Sequence, residues 1–207
     1  MIMKKIAIAF VCMIMTVGTA MAQPEKSFTF GPKIGVDYTH YWGKDCDHGG
    51  RLNYQAGVFF EYVVADKFAV APEIVFAAQG GKYKWSEIIE GVGVEYDATD
   101  YVNYINVPVM LKYYVAPSLS IDFGPQLGIN VYSKRTDKWD DAGVEMKETY
   151  DMKDGTKTID FGIGLGLTYN LAKDVFVQGR YTMGMTNISK FGSVKNGNAQ
   201  IAIGYRF

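Results

Sequence analysis

Asn198-Ala199-Gln200-Ile201-Ala202-Ile203-Gly204-Tyr205-Arg206-Phe207 closes the sequence. Taken in twos back from Phe207, one parity holds Phe207, Tyr205, Ile203, Ile201 and Ala199, all apolar. The other parity holds Arg206, Gly204, Ala202, Gln200 and Asn198, small or polar. Successive residues of a strand point to opposite faces. The stretch therefore reads as a strand with one greasy face and one small, polar face.

Seven earlier segments repeat the pattern. They run from about Phe30 to Trp42, Leu52 to Val64, Phe68 to Ala78, Tyr101 to Val115, Leu119 to Val131, Ile159 to Leu171 and Val175 to Ile188. The sixth is the cleanest: Ile159, Phe161, Ile163, Leu165, Leu167, Tyr169 and Leu171 alternate with Asp160, Gly162, Gly164, Gly166, Thr168 and Asn170. Pro108 removes a ladder donor, and a bulge or irregularity is expected there. Short turns stand at Ala65-Asp66-Lys67, Ala116-Pro117-Ser118 and Ala172-Lys173-Asp174. The other connections are a polar loop over 43–51, a long one over 80–100, a longer and more charged one over 134–157, and a short one over 189–196. Alternating short and long connections with an even strand number fit an all-β fold. The expectation is an eight-stranded antiparallel up-and-down transmembrane β-barrel with short periplasmic turns and longer extracellular loops.

Alternation by itself also suits a soluble barrel, so the composition of the polar face decides. That face carries Gly35, Gly57, Gly124, Gly128, Gly162, Gly164, Gly166, Gly184 and Gly204. Glycines on a water-exposed outer face would weaken strands without gain. Inside a narrow barrel they make room for large neighbours. The same face holds Lys33, Lys112, Arg180 and Arg206 against Asp37, Glu61, Glu73, Asp122 and Asp160. Buried charges must be paired, so an interior network of salt bridges and hydrogen bonds is expected in place of an open pore. The opposite face has almost no charge. Tyr38, Trp42, Tyr54 and Tyr101 gather near its loop ends and Tyr62, Phe68, Tyr113, Tyr169 and Phe207 near its turn ends, as two interfacial girdles should.

The amino terminus reads as a cleaved secretory signal peptide over 1–22. Lys4 and Lys5 precede an apolar run, and Ala20-Met21-Ala22 is an A-x-A cleavage site. The run falls short of the ~20 residues needed to span a bilayer. Residues 23–207 then form one barrel domain. Cys12 leaves with the signal, so Cys46 is single and no intrachain disulfide is expected. A formal net charge of −1 gives no reason to expect nucleic acid.

Four stretches carry a resemblance: Phe30-Gly31-Pro32-Lys33-Ile34-Gly35, Asn106-Val107-Pro108-Val109-Met110-Leu111-Lys112-Tyr113, Gly124-Pro125-Gln126-Leu127-Gly128 and Gly179-Arg180-Tyr181. With them the chain resembles the outer-membrane β-barrel domain family common in Bacteroidetes, often labelled porin-family or PorT-like. The resemblance covers essentially the whole mature chain and implies a location in the bacterial outer membrane. It implies a fold, without implying conduction. Ile201, Ile203, Tyr205 and Phe207 resemble the signal read by the barrel-assembly machinery.

Sequence candidates for chemistry are few. His40 falls on the lipid-facing parity. His48 sits in Lys44-Asp45-Cys46-Asp47-His48, which holds metal-capable groups but reads more simply as a solvated loop. Asp151-Met152-Lys153-Asp154-Gly155 lacks the spacing of a calcium loop. No catalytic, cofactor or metal site is expected. The leading expectation is a monomeric structural or surface-interaction barrel, embedded in outer-membrane lipid, whose loops meet an extracellular protein partner. Trp85, Tyr96, Trp139 and Tyr150 are its candidate contacts. Strands flanking the loops could extend beyond the membrane and offer edges for β-augmentation. A small passive, porin-like channel is the alternative, and an outer-membrane enzyme a third reading.

Overall fold

The computed structural model describes residues 27–44, 49–89, 92–141 and 144–207. The expected signal peptide lies outside them, and so do Cys46 and His48. Among the described residues ten strands form one sheet: β1 Phe28–Gly43, β2 Arg51–Ala65, β3 Phe68–Gln79, β4 Lys82–Ile89, β5 Val92–Ala116, β6 Leu119–Asp141, β7 Val144–Asp151, β8 Ile159–Asn170, β9 Val175–Gly184 and β10 Val194–Tyr205. The sheet order is β4-β5-β3-β2-β1-β10-β9-β8-β6-β7, with β5 also paired to β6. The β5–β6 pairing closes a ring of eight antiparallel strands, leaving β4 and β7 outside it. The first and last strands meet along a long seam, from Lys33 opposite Gly204 to Gly43 opposite Val194. Closure leaves the barrel without a free edge.

Alternation is carried through the ring. Ile34, Val36, Leu52, Tyr54, Leu165, Leu167, Ile201 and Ile203 face outward, while Lys33, Asp37, Gln55, Thr168 and Gln200 are buried inside. Rings on the outer face meet near the turns: Phe30 lies 5.6 Å from Phe207, and Phe68 lies 5.0 Å from Tyr113. The interior also takes large rings that its glycines accommodate. A side chain on Gly204 would lie 2.3 Å from the ring of Phe176. Phe176 in turn meets Phe59 edge to face at 4.9 Å.

Two connections carry structure that the sequence left open. Within 80–100, β4 and β5 pair, Lys82 with Thr99 and Trp85 with Tyr96. Residues 134–157 likewise contain the end of β6 and all of β7, paired from Lys134–Asp151 to Asp141–Val144. Local alternation in these charged stretches is weak, and the ladder forms because the ring below already aligns the strands. At Pro108 the expected irregularity is present without a bulge: the β3–β5 ladder passes from Pro72–Val109 to Val75–Asn106 without pairing Pro108, while Val107–Leu127, Pro108–Gln126 and Leu111–Phe123 keep a single register toward β6. Proline costs a donor, whereas a bulge needs an extra residue.

The extra residue is elsewhere. Asn103 opposes Tyr132 while Tyr104 opposes Asn130, which leaves Val131 unpaired in β6. Val131 and Tyr132 both face outward, and the parity of β6 inverts above them. Asn130 and Gly128 belong to the interior set below the bulge, and Ser133 and Arg135 belong to it above.

Candidate functional site

Inside the barrel, Glu73 is held by two cations. Lys33 Nζ donates to its Oε2 at 2.6 Å. Arg180 grips both oxygens, Nη1 to Oε2 at 3.0 Å and Nη2 to Oε1 at 2.7 Å. Such a fork is the strongest geometry available to a carboxylate. Lys33 also donates to Gln178 at 2.8 Å, and Gln178 donates onward to Asp122 at 3.2 Å. Ser120 and Thr168 donate to Asp122 as well.

A second cluster sits toward the turns. Lys112 Nζ donates to Glu61 Oε2 at 2.7 Å. The Tyr114 hydroxyl donates to Glu61 Oε1. Arg206 Nη2 lies 3.8 Å from Oε2, with its guanidinium 4.5 Å above the Phe176 ring. The nine charges do not pair one to one. Lys112 is the register neighbour of Asp122 but sends its amine to Glu61. Asp160, nearer the loops, accepts from Thr186 at 2.6 Å and Asn196 at 2.8 Å. Asp37 is fully buried between Asn53 and Gln200 in register.

At the loop end, β4, β5, β6 and β7 rise past the ring as one four-stranded sheet. Its faces differ. One line across the strands runs Trp85, Tyr96, Trp139, Met146, and the next toward the barrel runs Tyr83, Ala98, Asp137, Glu148. Below them stand Asp100, Arg135 and Tyr150. The adjoining parity carries Lys84, Asp97, Lys138 and Lys147, then Thr99, Thr136 and Thr149. The two parities thus differ in composition, one carrying the aromatic residues and the other lysine and threonine. All four aromatic residues singled out in the sequence fall on positions of the first parity. Tyr96 and Trp139 have ring centroids 6.1 Å apart. Tyr150 donates from its hydroxyl to Asp137 at 2.9 Å.

Where this sheet joins the barrel, its aromatic face borders a cavity of about 360 Å³. Arg135 donates from Nε and Nη2 to the two oxygens of Asp100, at 2.6 and 3.0 Å. Tyr83 donates from its hydroxyl to Asp100 at 2.7 Å, and its ring lies 4.9 Å from the Arg135 guanidinium. Burial, reinforced by the Asp100 carboxylate, holds the Tyr83 phenol well above its usual range. It therefore remains a donor. Tyr41, Met152, Thr156 and Phe191 complete the rim.

Of the residues lining this cavity, Asp151, Met152 and Gly155 lie in a stretch singled out in the sequence as a candidate for chemistry, whereas Tyr83, Asp100, Arg135 and Phe191 do not. Continuing the parity of Asn106 back through Tyr104 and Val102 reaches Asp100, so that residue was findable. The same counting in β6 puts Arg135 on the wrong face, because of Val131.

A closed ring of eight strands with a greasy outer band, aromatic rings at its rims and charges sealed within defines an integral outer-membrane β-barrel protein. The family described as "outer membrane protein beta-barrel domain" matches residues 21–190, and the chain belongs to it. No curated protein matches the sequence. Among solved structures, the chain is similar to the attachment invasion locus protein Ail of Yersinia pestis, with 15% identity over 88% of this chain and 100% of that one, at a TM-score of 0.48. It is also similar to Neisserial surface protein A, with 11% identity over 88% and 98% and a TM-score of 0.44. The N-terminal barrel domain of Pseudomonas aeruginosa OprF gives 12% identity over 88% and 98%, with a TM-score of 0.34.

Proposed function

We propose that this outer-membrane barrel is a closed, monomeric surface-interaction protein whose contact element is the four-stranded sheet above the ring. One observation carries the reading. The two longest connections form hairpins that also pair with each other, from Tyr101–Lys134 up to Tyr96–Trp139. A single hairpin is marginally stable in water, whereas four strands with an apolar face hold their shape. The sheet presents Tyr96, Trp139, Met146 and Tyr150 for a partner, and its two edges, β4 and β7, offer ladder groups to an added strand. The Glu73 and Glu61 clusters fill the lumen, which supports a sealed barrel over a passive channel.

The motifs from Phe30 to Gly35 and from Asn106 to Tyr113 support assignment to the Bacteroidetes, PorT-like type. A signal peptide cleaved after Ala22 would deliver the chain to the barrel-assembly machinery.

The test replaces residues 137–148 by a short turn. This leaves Arg135, Asp100 and the ring intact. The variant should insert and keep its heat-modifiable mobility, while photo-crosslinking on intact cells loses the protein partner that the full chain captures. Capture that survives the replacement removes the sheet as the contact element. Steady single-channel currents from the purified full chain in a planar bilayer would instead establish the channel.

A further inference from the structure

We propose that the cavity at the loop end of the barrel binds a neutral carbohydrate, seating one terminal sugar ring of a glycan. This deepens the surface-interaction reading and rests on it for the outward orientation of that end.

The cavity is built before any ligand arrives. Its far wall consists of two loops tied together by backbone bonds, Lys157 N–H to Ile188 O at 2.7 Å and Lys190 N–H to Gly155 O at 2.9 Å. A further bond from Met152 N–H to Ser133 O, at 3.1 Å, fixes that wall to β6. The near wall is the sheet itself. At about 360 Å³ the space falls within the ~300–1,000 Å³ typical of small-molecule pockets. Preformed walls spare a ligand the cost of ordering them.

The lining selects the chemistry. Asp100 is 2% exposed and Arg135 28% exposed, so the carboxylate lies beneath and the guanidinium faces the cavity. Two of the guanidinium's five donors point to Asp100, and the cation is neutralised from below. Tyr150 also bonds to it, and the rest of the planar donor edge lines the cavity with little net charge. An anionic ligand would approach Asp100 and Asp151, and a cationic one would approach Arg135. A purely apolar ligand would strip water from Arg135 without replacing its hydrogen bonds. A neutral ligand with several hydroxyls and one apolar face meets none of these penalties. Sugar rings have that form, with axial C–H groups on one face and hydroxyls around the edge.

Tyr83 and Phe191 are the rings available to the apolar face. Tyr41, 6% exposed, packs against Tyr83 with centroids 6.3 Å apart. Phe191 is 87% exposed at the rim, a costly position for a phenylalanine in water. It lies along Gly155, where an added side chain would come within 3.4 Å of its ring.

The test uses full-length mature protein in nanodiscs prepared without glycoside detergents. Maltose, cellobiose and lactose are titrated by saturation-transfer NMR, with their sulfated forms alongside. At least one neutral disaccharide should bind with a Kd of about 1 mM or tighter. Phe191→Ala should weaken it about tenfold, equivalent to ~1.4 kcal/mol, with unchanged circular dichroism and heat-modifiability. Arg135→Lys keeps the charge on Asp100 but loses the planar fork, and it should weaken binding similarly. The proposal is overturned if none of the three sugars binds, if sulfated forms bind more tightly than neutral ones, or if both variants bind like the parent. Loss of sugar binding with partner capture intact would remove this site and leave the surface-interaction reading standing.

Discussion

Arg206, next to the final residue, reaches Glu61 of the second strand at 3.8 Å, across the inside of the barrel. The seam between β1 and β10 is therefore backed by a contact from beyond the seam itself. Glu61 also accepts from Lys112 of β5, so one carboxylate joins three strands that are not all neighbours. Removing one partner from such a buried set is costly because the others lose their counter-charge. Glu61→Leu should destabilise the barrel by about 3–5 kcal/mol. Arg206→Met leaves Lys112 and Tyr114 on Glu61 and should cost about 1 kcal/mol. Urea unfolding from lipid vesicles, followed by tryptophan fluorescence, measures both; equal costs for the two variants would remove Glu61 as the hub.

The lipid-facing assignment is tested at Leu165, which is exposed on the outer face in the middle of β8. Leu165→Arg should cost about 2–4 kcal/mol in a bilayer. Gly164→Ser on the neighbouring inward position should cost less, since its added Cβ meets Met110 Cε at 3.3 Å and Thr182 Oγ1 at 3.5 Å, and Thr182 can hydrogen-bond the hydroxyl. Vesicle-based unfolding compares the pair, and an unaffected L165R variant would place that face in water.

Phe207 combines a rim aromatic with a backbone role, its N–H donating to Phe30 O at 2.8 Å. We propose that it also serves, with Ile201, Ile203 and Tyr205, as the mark read during assembly. Phe207→Ser should lower the amount inserted in cells several-fold, while the same variant refolds in vesicles with a loss near 1–2 kcal/mol. Equal insertion in cells would leave Phe207 with only its packing role.

Val131 is left unpaired in β6 between Asn130 and Tyr132. Deleting it removes the bulge and joins Asn130 to Tyr132, which leaves Tyr132 opposite Asn103 and Arg135 opposite Asp100. A Val131-deleted chain should therefore still form the ring and keep the ion pair. The measurement is the ¹⁵N NMR signal of the Arg135 guanidinium, compared with the full chain; loss of its exchange protection would show that the bulge itself is needed to seat Arg135.

The clean segments of the sequence, above all Ile159 to Leu171, showed the eight ring strands. Period-two alternation survives wherever one face meets lipid and the other a packed interior. Composition settled which face was which, because glycine and charge share a parity and large apolar residues hold the other. The interior charge set was therefore readable as a set. Its partners were not, since Lys112 could choose between Asp122 beside it and Glu61 across the lumen, and only the depth of each side chain decides.

The mouth was least legible. In the extended hairpins both faces meet water, at least in part, so alternation weakens in stretches such as Lys134 to Asp141. Tyr83, Asp100, Arg135 and Phe191 come from four separate parts of the chain. Val131 then reverses the parity on which any count to Arg135 depends. The sequence by itself determined the barrel, its orientation to lipid and the charged filling, because local periodicity records a two-faced environment. Only the tertiary structure decided the extracellular sheet and the cavity beneath it, because a single unpaired residue and the closure of distant strands set what stands there.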